Sequence, residues 1–148
     1  MFKLAGMPPL DMDLQKLKKL ILQMEAIMDR RVDKLIPKAI KAAKTHIADN
    51  KKIFKEYNGY ISSFGASILQ SGLKPAVAFN ESASSSSAKN KIPLMQAILE
   101  LITEQEPEKD AKLLNYILEH PKKESKIKHK IIDAAIALKL AIRTFELK

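Results

Sequence analysis

The chain has 148 residues, 26 lysines and arginines against 17 acids, a net charge of +9 and no cysteine. That length suits one domain that buries about 68–70% of its unfolded surface without a covalent or metal staple, and the missing thiols exclude a disulfide framework and any thiolate zinc or iron–sulfur site. The positive balance points to a polyanionic partner, nucleic acid before membrane, although surplus lysine also serves solubility.

The opening "MFKLAGMPPLDM" breaks at Pro8-Pro9, too early for the apolar core of a secretory leader. The long apolar run near the end, "IIDAAIALKLAI", holds Asp133 and Lys139 and falls short of the roughly 20 residues that span a bilayer. A cytoplasmic protein is expected, with no membrane partner. Residues 1–10 are expected to be a flexible segment and 11–148 one helical domain.

Leu14, Leu17, Ile21, Met24, Met28 and Leu35 keep helical steps, so they share one face of a helix that Asp11 or Asp13 can cap. Pro37 either kinks this helix or opens a second one in its first turn. Ile40, Ile47 and Phe54 carry the apolar face on to about Tyr57. Glu25, Asp29 and Asp33 stand four apart; this acidic stripe reads as a solvated face or as a surface for a basic neighbour. Lys41 and Lys44, with Lys51, Lys52 and Lys55, form a loose basic group.

"YNGYISSFGASILQSGLKPAVAF", residues 57–79, gathers three of the four glycines and four of the eight aromatics. The spacing matches no phosphate-binding glycine loop. It suits a joint instead: a helix from about Gly59 to Ser71, Gly72 as the left-handed stop, and Pro75 in the first turn of the next helix. Tyr57 and Tyr60 are the best placed for base stacking, with ordinary core packing as the alternative. So few aromatics and arginines argue against base reading, so nucleic acid should be held by its phosphates.

"ESASSSSAKN", residues 81–90, has no periodicity and is expected to be a mobile loop. A helix from about Ile92 to Gln105 should point Met95, Ile98, Leu99 and Ile102 inward. Pro107 ends it, "PEKDAKLLNYILEH" forms the next helix, and Pro121 closes that one. A last helix is expected over 122–147. Its lysines Lys122, Lys126 and Lys130 repeat every four residues with Lys123 beside them, in one sector next to the apolar face of Ile127, Ile131, Ala134, Leu138 and Phe145. Like charges so spaced repel by roughly a few tenths of a kcal/mol; a phosphate strand relieves this and releases counterions. The alternative is a solvated face. Ile132, Ile136 and Leu140 make a second apolar stripe, which marks either a central helix or one half-buried against another subunit.

The fold class is therefore all-α, a single-domain helical bundle of about six helices. Net charge is +6 over residues 1–57, −1 over 58–107 and +4 over 108–148, so the positive potential comes from the first and last helical segments. His46, His120 and His129 are scattered, and Glu100 and Glu104 lack further partners. No nucleophile–base–orienter set is found, and no metal or cofactor is called.

The stretch 57–79 also resembles a signature of the Cmr small subunit, the small all-helical subunit of type III-B CRISPR effector complexes. Tyr57, Tyr60, Ile61, Phe64, Ile68, Gly72, Leu73, Ala76, Val77, Ala78 and Phe79 match it. Ser71, Lys74 and Pro75 depart from its Asn, second Gly and Gln, and Gly65 stands where Pro is common. The ending "KIKHKIIDAAIALKLAIRTFEL" is similar to the family's basic amphipathic last helix, with Arg143 and Phe145 in register. The resemblance implies a non-catalytic RNA-binding subunit in antiviral defence. Copies of it would stack beside the backbone and large subunits and help hold guide and target RNA. Lys122, Lys123, Lys126, Lys130 and Arg143 are the first candidates for RNA contact, with Lys41 and Lys44 next. Ile132, Ile136, Leu140, Glu25, Asp29 and Asp33 are the candidates for protein contact. The competing reading is a free-standing basic helical DNA-binding or adaptor protein.

Overall fold

In the computed structural model the described residues are 13–82 and 90–148, apart from the side chains of 24–29. Expectations for residues 1–10 and for positions 83–89 of the serine tract lie outside them. The elements run α1 (Leu14–His46), β1 (Lys52–Ile53), α2 (Glu56–Ser71), α3 (Leu73–Glu81), α4 (Ile92–Thr103), α5 (Leu113–Glu119), a 3-10 turn (Pro121–Lys123), α6 (Glu124–Ile142) and β2 (Glu146–Leu147). The all-helical expectation holds. Two compact units make up the chain, Met1–Arg31 and Val32–Lys148.

The described part of the first unit is the opening half of α1. The Gln15 N–H donates to Asp13 Oδ1 at 3.1 Å, so Asp13 caps this end. Leu14, Leu20, Ile21 and Leu22 are exposed. Among the described residues of this unit, the apolar side chains that begin at Leu14 thus build no core.

In the second unit α1 turns inward. Ala39, Ala42 and Ala43 are fully buried, with Val32 and Ile47 close to it. Pro37 sits inside the continuous helix, on its exposed side, and starts no new helix. The apolar pattern does not carry the helix on to Tyr57. Asn50 and Lys51 take left-handed φ angles of 51° and 65°, which reverse the chain after His46.

Helix α2 buries Tyr57, Ile61, Phe64 and Ile68. Helix α4 is the most enclosed, with Leu94, Met95, Ala97 and Ile98 all at zero exposure. Helix α6 covers it with Ile127, Ile131, Ala134, Leu138 and Ile142. The joint between α2 and α3 is Gly72, at φ 94° and ψ 166°. This is a positive-φ, extended conformation rather than the left-handed helical stop expected, and it is open essentially to glycine alone. A Cβ there would meet only Pro75 Cδ, at 3.8 Å. Gly72→Ala should therefore cost about 1–3 kcal/mol from backbone strain alone, read by chemical denaturation; an unchanged midpoint would contradict the assigned conformation.

Three expectations are corrected. Helix α5 is seven residues long, far shorter than "PEKDAKLLNYILEH", because residues 104–112 leave the helical path after Glu104 turns left-handed. Glu81, expected to open the mobile loop, ends α3 and is buried. The last helix stops at Ile142, and the following residues pair in parallel with β1, Lys52 opposite Glu146 and Ile53 opposite Leu147. The Lys148 N–H donates to Ile53 O at 2.9 Å and the Lys55 N–H to Lys148 O at 3.2 Å. No strand was expected, since a two-residue pairing has no alternating pattern to read.

Candidate nucleic-acid interface

The lysines of the last basic run occupy two kinds of backbone. Lys122 and Lys123 lie in the 3-10 turn that follows His120, and Lys126 and Lys130 lie one turn apart on α6. All four are exposed. On α1, Lys41 and Lys44 are exposed as well. Among the described residues none of these six lysines takes part in a salt bridge.

The fold brings Lys38 and Lys41 of α1 and Lys130 of α6 to the end of α4. A groove of about 340 Å³ is bordered by Lys38 and Lys41 and by Glu100, Glu104 and Glu106. A second groove, of about 220 Å³, is bordered by Leu35, Ile102, Glu104, Lys130 and Asp133. Glu104 lines both. Lys38 Nζ donates to Glu104 Oε1 at 2.9 Å. The Lys38 hydrogen bond and charge, with a smaller pull from Lys130, hold the Glu104 carboxyl below its ordinary value. Lysines some ninety residues apart in sequence thus flank one carboxylate.

Arg143 is not brought to this place. It follows α6 at its C-terminal end, exposed, and thirteen helical residues beyond Lys130 amount to about 20 Å along the axis and roughly 220° of rotation.

A further tie between α1 and α4 was missed by sequence reasoning. His46 Nε2 and Glu100 Oε1 are 3.3 Å apart, with side chains 11% and 17% exposed. The partners lie 54 residues apart, and no local pattern links them. Tyr57 belongs to the core: its hydroxyl donates to Asn90 O at 2.9 Å, and its ring meets Tyr60 edge-on at 5.9 Å. Burial, and then Tyr60, push the Tyr57 phenol up. Neither ring lies free for stacking, since Lys91 Nζ sits 4.8 Å from the Tyr60 centroid and 4.9 Å from that of Phe79. Phe79, 63% exposed, is the most exposed aromatic among the described residues.

The second apolar stripe of α6 resolves towards the surface. Ile132 is half-buried, Ile136 is 41% exposed and Leu140 38%. Ile132 and Ile136 join Gly65, Ala66 and Leu69 of α2 around an apolar groove of about 400 Å³. Asp33 is exposed on α1; the side chains of Glu25 and Asp29 lie outside the described ones. Among the described residues no group of three or more His, Asp or Glu could hold a metal ion, and no helix is long and apolar enough to cross a membrane.

The family model of the CRISPR-associated protein Cas_Cmr5 matches residues 29–139. The chain belongs to the Cas_Cmr5 family. The match begins inside α1 and ends in α6, so it spans most of the second unit. A search of curated proteins found no match, and neither did a search of solved structures. As a Cmr5-type protein the chain is a small subunit of type III-B CRISPR complexes, a structural component of an assembly with other Cmr subunits.

Proposed function

We propose that this Cmr5-type subunit works in the cytoplasm as a non-catalytic RNA-holding scaffold in antiviral defence. It lies along guide and target RNA, binds their phosphates without reading bases, and leaves cleavage to other subunits. The observation that carries this reading is the approach of Lys38 and Lys41 of α1 and Lys130 of α6 to the end of α4, with Lys122, Lys123, Lys126 and Lys44 exposed on the same two segments. Ammonium groups held in water beside shallow grooves attract a polyphosphate strand and release its counterions, and they discriminate little between sequences. Lys122, Lys123, Lys126 and Lys130 form the α6 side of this track, Lys41 and Lys44 the α1 side, and Arg143 a separate contact. The decisive measurement is a salt titration of a labelled single-stranded oligoribonucleotide on the full chain. The logarithm of affinity should fall linearly with the logarithm of salt, by about 0.7 for each phosphate held. A flat response would remove the basic track from the reading.

The apolar groove of α2 and α6, with Ile132, Ile136 and Leu140, serves contact with a neighbouring copy or a backbone subunit, and Glu25, Asp29 and Asp33 face a basic neighbour. Because Ile136 is 41% exposed, Ile136→Asp should cost about 1–2 kcal/mol, a part of the roughly 1.5–3 kcal/mol of a full burial, and leave the chain folded. Sedimentation should show that it abolishes the weak self-association of the isolated chain. Undiminished association would move the contact elsewhere.

A further inference from the structure

Glu104 is an unusual residue for its place. It follows α4 at φ 59° and ψ 24°, the left-handed conformation in which helices normally stop on glycine or asparagine. A glutamate there carries the Cβ penalty of that region. Strained positions of this kind tend to mark function, and the inference runs from the observed conformation to the role. The turn also aims the carboxylate at the junction of two grooves, one bordered by Lys38 and Lys41, the other by Lys130. Its oxygen accepts from Lys38 Nζ at 2.9 Å, while both side chains stay exposed, at 56% and 69%. An exposed pair of that kind adds little to a fold, so the ion pair gives the fold little reason to keep a glutamate at a glycine-like position.

We propose that Glu104 is a built-in phosphate surrogate: its carboxylate holds Lys38 and faces Lys130 at the middle of the cationic track, so that an RNA phosphate must displace it to bind there. The proposal rests on the basic-track reading above and adds its control. The resident carboxylate makes the isolated subunit a weaker binder of bulk RNA than its charge implies. The track closes on a strand where neighbouring subunits present several phosphates in register, since only then do the gained contacts exceed the one lost. A single anionic group is the right size for the task, because a phosphate oxygen and a carboxylate oxygen accept the same lysine hydrogen bond at similar distance.

The experiment measures binding of a fluorescein-labelled oligouridylate to the full chain by anisotropy across a salt series. Glu104→Gln should bind at least about three-fold more tightly than the parent at low salt and steepen the salt dependence by about 0.7, one phosphate's worth. Glu146→Gln is the matched control. It makes the same charge change and frees Lys52 from an ion pair of 3.5 Å, away from the track, so its gain should be smaller. Adding Lys38→Gln to Glu104→Gln should return affinity towards the parent value, because the released lysine is what the phosphate meets. Glu104→Gly provides a second variant that suits the backbone better; it should melt no lower than the parent and bind as tightly as Glu104→Gln. Equal gains from Glu104→Gln and Glu146→Gln would reduce the effect to bulk charge and overturn the proposal, as would no gain at all. If Lys130→Glu weakens binding while Glu104→Gln does not strengthen it, the basic track stands and the surrogate falls. If the parent and every variant fail to bind, the track falls and the surrogate with it.

Discussion

Glu81→Ala should lower stability by about 2–4 kcal/mol, the cost of stranding two backbone donors away from solvent. In a chain of this size that corresponds to a melting temperature roughly 5–15 °C lower. The reason lies at the start of α5. Lys112, the residue before it, is extended and offers no capping side chain, so the first N–H groups of the helix would be orphaned. Glu81, at the end of α3, supplies the acceptors: Leu113 N–H donates to its Oε2 at 2.7 Å and Leu114 N–H to its Oε1 at 3.1 Å. Glu81→Gln keeps one acceptor and turns an amide group towards the other donor, so it should cost about half as much, on the order of 1–2 kcal/mol. The two variants differ in pH behaviour from the parent. Burial, stronger than the opposing backbone hydrogen bonds and Lys112, raises the Glu81 carboxyl above its ordinary value. The folded chain then keeps this proton to higher pH than the unfolded chain. Its contribution to stability is therefore greatest below the unfolded value and falls as pH rises towards the raised folded value. The parent's denaturation midpoint should fall relative to that of Glu81→Gln as pH rises across that acidic window, so the two converge there and run parallel above it. An Ala variant as stable as the parent would show that α5 does not depend on this cap.

Reversing Lys122, Lys126 and Lys130 to Glu should weaken RNA binding by at least about ten-fold at low salt and cut the salt slope by about 2, three phosphates' worth. The fold should gain rather than lose. Lys122 stands just before α6 and Lys126 in its first turn, the end at which a helix dipole disfavours cations and favours anions by about 0.3–1 kcal/mol each; Lys130 lies beyond that turn and adds nothing to this gain. Every side chain concerned is exposed. Helix content should be unchanged, and the melting temperature equal or slightly higher, while affinity collapses. Opposite signs in the two measurements separate a lost binding face from a damaged fold. A stable variant with unaltered affinity would take α6 out of the interface.

The arrangement of lysines against their own helix dipole is also where sequence and structure meet. Their four-residue repeat is written in the chain, and so is their solvent-facing sector, because the helical period alone sets which residues share a side. The same holds for the α2–α3 joint. Gly72 ends one helix and Pro75 falls in the first turn of the next because each relies on a backbone constraint of a single residue. The assignment of Tyr57 was open, since an aromatic at helical spacing suits core and ligand alike. Packing against Tyr60 and a hydrogen bond to a carbonyl 33 residues away decided it.

What this sequence determined alone was helix type, most places where helices stop, and the concentration of positive charge in its first and last segments. Those properties arise within a turn or two of chain, where periodicity and local φ/ψ limits act without outside help. Only the tertiary structure decided that Lys38 and Lys130 flank one carboxylate, that Glu81 caps a helix 32 residues on, that the C-terminal residues pair with Lys52–Ile53, and that the Ile136 stripe faces outward. Each of these joins groups separated by tens of residues, and such partners are selected by how the helices pack rather than by any pattern in their neighbours.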